Sequence, residues 1–293
     1  MDLIADSREL AGISSPSPGL SRTSQSHGPS PVSAESDRFH HLRVSVVIPT
    51  LNEADNLPHV FAELPSGLHE VVLVDGNSDD DTIEVARRLR PDIRVVLQTQ
   101  KGKGDALGCG FAACSGEVIV MMDADGSTDP REIPAFVQAL LDGADVAKGS
   151  RYLPGGGSAD LTTVRRIGNR FLAAAVNLLF GSKYTDLCYG YNAFRASCFD
   201  SLHVGCDGFE VETLINIRAR RLGLKVTEVP SFERKRVNGI SKLHPFRDGL
   251  RILRVIVSER VTRARPTPHF YDYQPEIIEP LALLVQNGDR CAS

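Results

Sequence analysis

Four short apolar runs rich in β-branched residues constrain this chain more than anything else in it. Val44–Ile48, Val71–Val74, Ile93–Leu97 and Val118–Met122 read as buried strands. Between them, Ala54–Leu64, Asp81–Leu89 and Asp105–Ala113 carry apolar residues at helical spacing. Strands that alternate with helices at this interval build a mostly parallel, doubly wound sheet flanked by helices, an α/β fold. Such a sheet takes its ligands outside the carboxyl ends of its strands. The residues that follow each apolar run are therefore the candidates for function.

The flanks differ in composition. Seventeen of the first 40 residues are Ser, Pro or Gly, too little apolar material to offset ordering entropy, so 1–40 reads as a disordered arm. Residues 263–293, with Pro266, Pro268, Pro275 and Pro280, read as an irregular tail in which the apolar patch Leu281–Val285 is suited to docking on the body. The span 41–262 is left as one domain, 41–148 forming its first half and 149–262 its second. A net charge of −4 gives no footprint for nucleic acid. The longest apolar candidate for a span, Phe171–Phe180, falls short of the ~18 residues a membrane requires. Asp2 and Asp6 precede no apolar segment of the secretory kind. The six Cys form no CxxC pair and no zinc spacing, which suits reduced thiols and a cytoplasmic location.

The strand ends carry the chemistry. Pro49, Thr50, Asn52 and Glu53 follow the first run, Asp75 the second, Lys101-Gly-Lys103-Gly104 the third, and Asp123-Ala124-Asp125-Gly the fourth. Asp79 and Asp129, just before helical segments, suit helix capping. Asp123 and Asp125 stand two residues apart at a buried strand's end, beside a glycine that lets a ligand approach the backbone. Two carboxylates so placed suit one hard cation, Mg²⁺ or Mn²⁺, with positions left for a diphosphate. Asp75, an acceptor-only side chain, suits the N–H edge of a base or a ribose hydroxyl. Lys103 and Gly104 open a helix, where backbone N–H groups and a positive charge favour phosphate.

Val46-Val-Ile-Pro-Thr-Leu-Asn-Glu53, Leu73-Val-Asp75-Gly76, Lys101-Gly-Lys-Gly-Asp-Ala106 and Met122-Asp123-Ala-Asp125-Gly126 together resemble the family 2 glycosyltransferases, and within them the polyprenyl-phosphate (dolichyl-phosphate) mannosyl- and glucosyltransferases. The resemblance covers roughly residues 43–260. It implies the GT-A (nucleotide-diphospho-sugar transferase) fold, a divalent metal and an inverting reaction. It further implies that Asp75 contacts the base, that Asp123 and Asp125 hold metal and diphosphate, and that Pro49, Thr50, Asn52, Glu53, Lys103, Gly104 and Ala124 belong to the nucleotide-sugar site. Where the family often reads Asp-Asp-Gly-Ser, this chain reads Asp75-Gly-Asn-Ser78, one carboxylate fewer.

In the second half, Arg151 of Gly149-Ser-Arg-Tyr152, Arg165 and Asn169 match the family's acceptor-phosphate positions, with Asn in place of Ser. Arg165 and Asn169 lie four residues apart and share a helix face. Asp186–Arg195 resembles the segment that closes over the sugar, Gly208-Phe-Glu210-Val-Glu212 a sugar-proximal motif, and Gly239-Ile-Ser-Lys242 a loop over the diphosphate.

The expected reaction is transfer of a hexose from a nucleotide-diphosphate sugar, of the UDP-glucose or GDP-mannose type, to a polyprenyl-phosphate-like acceptor. A phosphate acceptor is already anionic near pH 7, its second pKa being ~6, so no base is required. A hydroxyl of a soluble metabolite or natural product needs one, for which Asp186, Glu210 and Glu212 are the candidates. Asp123-x-Asp125-Gly-Ser127 also resembles the haloacid-dehalogenase phosphatases, with Asp123 as nucleophile. Those proteins carry the motif on their first strand and usually end it in Thr, whereas here three strands precede it. A non-catalytic nucleotide-sugar-binding module is disfavoured by the intact carboxylate pair. Finally, His244–Arg263 reads as a helix with Leu250, Leu253, Val257 and Val261 on one face and Arg247, Arg251 and Arg254 on others. That pattern suits packing on the sheet or a peripheral contact with the inner face of an anionic membrane.

Overall fold

The structure, a computed structural model, describes residues 42–202, 208–239, 243–262 and 276–278. The 1–40 arm, Lys242 and the Leu281–Val285 patch lie outside the described residues.

The predicted alternation is realised. In chain order the elements are β1 (Val44–Thr50), α1 (Leu57–Ala62), β2 (Glu70–Asp75), α2 (Thr82–Leu89), β3 (Arg94–Leu97), α3 (Lys103–Ala113), β4 (Val118–Met121), α4 (Ile133–Leu141), β5 (Val146–Ser150), β6 (Gly157–Ser158), α5 (Thr163–Phe180), β7 (Asn192–Arg195), α6 (Phe199–Leu202), α7 (Val211–Arg221), β8 (Val226–Pro230), β9 (Phe232–Glu233), α8 (Pro245–Val261) and β10 (Glu276–Ile278). Eight strands form one sheet in the order β10-β3-β2-β1-β4-β7-β5-β8, and β6 pairs with β9 separately. The pairings of β1 with β2 and β4, of β2 with β3, and of β5 with β8 are parallel. β7 runs antiparallel to β4 and β5, and β10 antiparallel to β3.

The runs are apolar on both faces, with Ser45 and Arg94 as exceptions, because both sheet faces are covered. Successive residues point to opposite faces. Val46, Ile48, Val71 and Leu73 accordingly join one core cluster, packed with Leu57, Phe136 and Leu140 of α1 and α4. Val47, Val72 and Val74 join a second, packed with Leu107, Phe111 and Ile215 of α3 and α7. A third cluster joins α5, α7 and α8 through Leu172, Val176, Ile217, Ile252 and Ile256.

Three expectations are corrected. The tail is not irregular throughout, because Glu276–Ile278 adds an antiparallel edge strand to β3. Asp129 does cap, accepting the Arg131 N–H, but ahead of α2 it is Asp80, not Asp79, whose carboxylate accepts the Thr82 N–H. On α8 the buried stripe is Ile252 and Ile256, and Leu250, Val257 and Val261 of the expected packing face are exposed. The 100° step per residue puts Ile252 and Ile256 on one line. That line, not the predicted one, meets α5 and α7.

Candidate active site

Strand order decides where a ligand fits. The chain lays down β1, β2 and β3 in one direction and then returns to place β4 on the other side of β1. The loops after β1 and β4 therefore diverge and leave a crevice between them. A cleft of about 360 Å³ lies there, lined by Pro49, Thr50 and Glu53 after β1 and by Asp123, Ala124 and Asp125 after β4. The opening of α3 contributes Lys103.

Lys103 is the electrostatic centre. Its Nζ lies 2.6 Å from Asp123 Oδ1 and 2.7 Å from Glu212 Oε1. Burial opposes its charge, but the two carboxylates outweigh burial and raise its pKa above the ordinary lysine value. A Cβ on Gly190 would lie 2.7 Å from that Nζ and 2.9 Å from Glu212 Oε1, so a larger residue there must displace the ends of the triad's side chains.

Asp125 is held differently. Its Oδ1 accepts the Ser127 N–H at 2.9 Å, and its Oδ2 lies 2.7 Å from Arg236 Nη2. Gly126 between them has φ +76°, a conformation glycine adopts at little cost, and a Cβ there would lie 2.6 Å from Val237 Cγ2. Residues 234–238 form a strap over this turn. Arg234 N–H donates to Ser127 O at 2.7 Å, Val237 N–H to Asp125 O at 3.0 Å, and Asn238 N–H to Asn56 Oδ1 at 3.0 Å. Arg234 also pairs with Glu63 and Asp129.

A divalent cation fits this pair of carboxylates in donor chemistry. Both are hard oxygen ligands that line one cleft, and two protein ligands leave room for water and phosphate oxygens. Among the described residues no group of three or more His, Cys, Asp or Glu side chains stands ready to hold a metal.

Other predicted residues stand outside the cleft's lining, Asp75 directly behind it with its Oδ1 3.5 Å from the Thr50 hydroxyl. Asp75 is buried at the end of β2, its Oδ1 accepting the Ser78 hydroxyl at 2.6 Å and its Oδ2 the Ser78 N–H at 2.9 Å. Asn52 takes φ +58° and accepts the Asp79 N–H. Asp75, Asn52, Gly104 and Glu210 are not among the residues that line the cleft. Glu210 sits at the start of α7 and accepts the Gly208 N–H.

Arg151 and Asp186, expected in catalysis and phosphate binding, form a buried ion pair. Arg151 Nε and Nη2 reach Asp186 at 2.7 and 2.9 Å, Nη1 reaches both oxygens of Glu233 at 3.1 Å, and Nη2 also reaches the Cys188 carbonyl at 3.5 Å. Every guanidinium nitrogen is thereby engaged, and the group stacks 4.7 Å from the Tyr189 ring centroid. Burial alone would raise the Asp186 pKa, but Arg151 outweighs it and holds the carboxyl below its ordinary value.

A second cavity, also about 360 Å³, runs between α5 and α8 and brings Arg151, Arg165 and Asn169 together. Its walls are largely apolar, with Val164, Phe171, Phe246 and Leu250 among them. Arg165 pairs with Asp160 at 3.3 Å at its edge. Asn169 turns its Oδ1 to the N–H groups of Leu187 and Cys188, at 3.1 and 2.9 Å. Burial pushes the neighbouring Cys188 thiol up to about 12.

Arg236 and Gln98 also line the first cleft and escaped the reading of the sequence, as did the part that Arg247 and Phe209 take in the same wall. A basic run, Arg234-Lys-Arg236, just after a strand was the available signal for one of them.

A crevice at the switch point of a mostly parallel sheet, with a carboxylate pair at the β4 end, is the architecture of the GT-A fold. Solved structures agree on the fold. Glucosyl-3-phosphoglycerate synthase from Mycobacterium tuberculosis, in complex with Mn²⁺, UDP and glucosyl-3-phosphoglycerate, superimposes with TM-score 0.63 at 24% identity, covering 88% of this chain and 98% of that one. The glycosyl transferase family 2 profile matches residues 45–202. Undecaprenyl-phosphate mannosyltransferase of Micrococcus luteus is 33% identical over 216 residues, 69% of this chain and 88% of that protein. Dolichol-phosphate mannosyltransferase of Pyrococcus furiosus is 33% identical over 211 residues, 69% of this chain but 59% of that longer protein. The chain belongs to glycosyltransferase family 2 and is a glycosyltransferase.

Proposed function

We propose that the protein transfers a hexose, with inversion, from a nucleotide-diphosphate sugar to a polyprenyl-phosphate-like acceptor. One observation carries this reading: the charged cleft and the apolar groove are neighbours, divided by the first turn of α8. Arg247 lines the cleft, while Phe246 and Asp248 line the groove. A donor diphosphate suits the first, and an isoprenoid chain with a phosphate head suits the second. The names of the Micrococcus and Pyrococcus relatives point to the same class of acceptor, a polyprenyl phosphate, and to a mannosyl group transferred.

In this reading Asp123 and Asp125 hold Mg²⁺ or Mn²⁺, which when bound offsets the charge of the leaving nucleoside diphosphate. Lys103, Arg236 and Arg247 bring three further positive charges to the cleft. Pro49, Thr50, Glu53 and Ala124 wall the nucleotide sugar, and Lys242 is an added candidate from its sequence motif alone. Arg165 receives the acceptor phosphate at the groove, and Asn169 shapes the groove wall. Arg151 and Asp186 act by holding Glu233 and the β9 end in place, since their own polar atoms are engaged. The phosphate oxygen attacks C1 as an anion, so no base is needed near pH 7, its second pKa being ~6.

Membrane contact belongs to the same reading. Phe246 (86%) and Leu178 (85%) are almost fully exposed, and Ile167, Phe171, Val257 and Val261 are exposed beside them on α5 and α8. Among the described residues no helix is long and apolar enough to cross a membrane. An apolar surface bordered by arginines suits a peripheral position on an anionic bilayer.

A second reading, transfer to a small phosphorylated acid, is favoured by the fold match to glucosyl-3-phosphoglycerate synthase. Incubating the chain with UDP- and GDP-hexoses, Mn²⁺ and either polyprenyl phosphate or phosphoglycerate separates the two. Glycolipid formation that falls at least 100-fold in Asp125→Ala is expected. Product with phosphoglycerate alone favours the second reading, and undiminished turnover in Asp125→Ala sinks the assignment of the site.

A further inference from the structure

The two carboxylates assigned to the cation differ in how they are held. Asp123 spends Oδ1 on Lys103, and its side chain remains 32% exposed to the cleft. Lys103 has a second carboxylate, Glu212, at 2.7 Å, so it keeps a partner if Asp123 turns to another cation. Asp125 has no such latitude. Its Oδ1 is taken by the Ser127 N–H, its Oδ2 by Arg236, and its side chain is only 7% exposed. A cation that ligates Asp125 shares the carboxylate with a guanidinium 2.7 Å from Oδ2 and so binds against like-charge repulsion.

Arg236 is also tethered. The Val237 N–H bond to the Asp125 carbonyl and the Arg234 N–H bond to the Ser127 carbonyl fix the strap on the Asp125 turn. A guanidinium released from Asp125 therefore stays at the cleft, whose wall it already forms. The group that best replaces a lost carboxylate for arginine is a phosphate, which takes its planar fork in the same bidentate way.

We propose that Arg236 and the divalent cation compete for Asp125, and that the displaced arginine passes to the donor diphosphate, so that metal loading and nucleotide binding are coupled through this one side chain. The proposal rests on Asp123 and Asp125 being the cation ligands. The diphosphate gives the displaced arginine a partner, so nucleotide lowers the cost of loading the metal beyond its own contacts with the ion. By reciprocity the metal strengthens nucleotide binding by the same factor.

The test is Mn²⁺ binding by electron paramagnetic resonance on the 293-residue chain, first with Mn²⁺ alone and then with UDP or GDP added. Arg236→Gln is expected to bind Mn²⁺ alone at least about tenfold more tightly than the wild type, the equivalent of one charged hydrogen bond at the low end of its range. The enhancement of Mn²⁺ affinity by nucleotide is expected to shrink by a similar factor. Arg236→Ala is expected to behave alike, so the outcome does not hang on one variant's folding. Arg236→Lys, which keeps the charge, is expected to stay within about twofold of the wild type. If both neutral variants bind Mn²⁺ no more tightly than the wild type while Asp125→Asn binds it more weakly, Asp125 is a ligand but Arg236 is no competitor, and the proposal is overturned. If Asp125→Asn binds Mn²⁺ as the wild type does, the cation assignment itself fails and takes the proposal with it.

Discussion

Replacing Arg151 with methionine should cost the protein a large part of its stability. The change keeps most of the side chain's length and removes its charge. Two carboxylates then lose the cation that hydrogen-bonds to both, Asp186 fully buried and Glu233 with a side chain 8% exposed, and only the charge of buried Lys148 still acts on Asp186. Breaking a buried ion pair by removing one partner costs about 3–5 kcal/mol. For a domain of this size each kcal/mol lowers the melting temperature by roughly 2–4 °C, so a fall of about 10 °C is expected. Thermal unfolding followed by circular dichroism at pH 7 reads it directly. The pH dependence supplies a second readout. In the wild type the folded Asp186 has a lowered pKa. Its stabilisation is present above the unfolded value of about 3.9 and is lost as pH falls through the lower folded value. Without Arg151, burial dominates and raises that pKa above the unfolded value, so the variant should gain stability as pH falls from 7 towards 5. Neutralising both carboxylates in the same variant, with Asp186→Asn and Glu233→Gln, should recover part of the loss. A methionine variant that melts within about 2 °C of the wild type and keeps its pH profile would refute the ion-pair account. It would return Arg151 to the acceptor phosphate as a direct ligand.

Two further outcomes follow from the geometry. Gly190→Ala places a methyl group 2.7 Å from Lys103 Nζ and 3.2 Å from Asp123 Oδ2. Turnover should fall by ~100-fold through misplacement of about 1 Å, with a much smaller change in melting temperature. Equal losses of stability and turnover would show the glycine to be merely structural. Phe246→Glu combined with Val257→Glu should weaken sedimentation with anionic vesicles at least tenfold while leaving folding intact, since both side chains are already exposed. Unchanged vesicle binding would remove the α5–α8 face from any membrane contact.

How far these features were legible depends on how far apart in the chain their partners lie. The alternation of β-branched runs with helical spacing was visible because strand and helix periods are properties of neighbouring residues. The parallel sheet followed from it, and so did the importance of the strand ends. Asp123, Asp125, Lys103, Pro49, Thr50 and Glu53 were found by that route and do line one cleft. Asp75 occupies an equivalent strand end, yet Ser78, three residues on, folds back onto both of its oxygens. Which way a side chain at a strand end turns is decided by such local competition.

The remainder was settled by contacts between distant segments. Glu212 reaches Lys103 across 109 residues, and Glu233 reaches Arg151 across 82. No period or motif spans such distances. Arg151 was read as a phosphate ligand from its match to the family's Gly-Ser-Arg-Tyr position, and only the folded chain shows two carboxylates closing around it. On α8 the sequence offered two apolar stripes, and the docking angle against α5 and α7 chose Ile252 and Ile256 for burial and left Val257 and Val261 outside. The sequence by itself thus determined the α/β alternation and the carboxylate-bearing ends of β1 and β4, because these depend on residues a few positions apart. Only the tertiary structure decided which cation each carboxylate meets, because a counter-ion is chosen by distance in space and by the cost of leaving a buried charge alone.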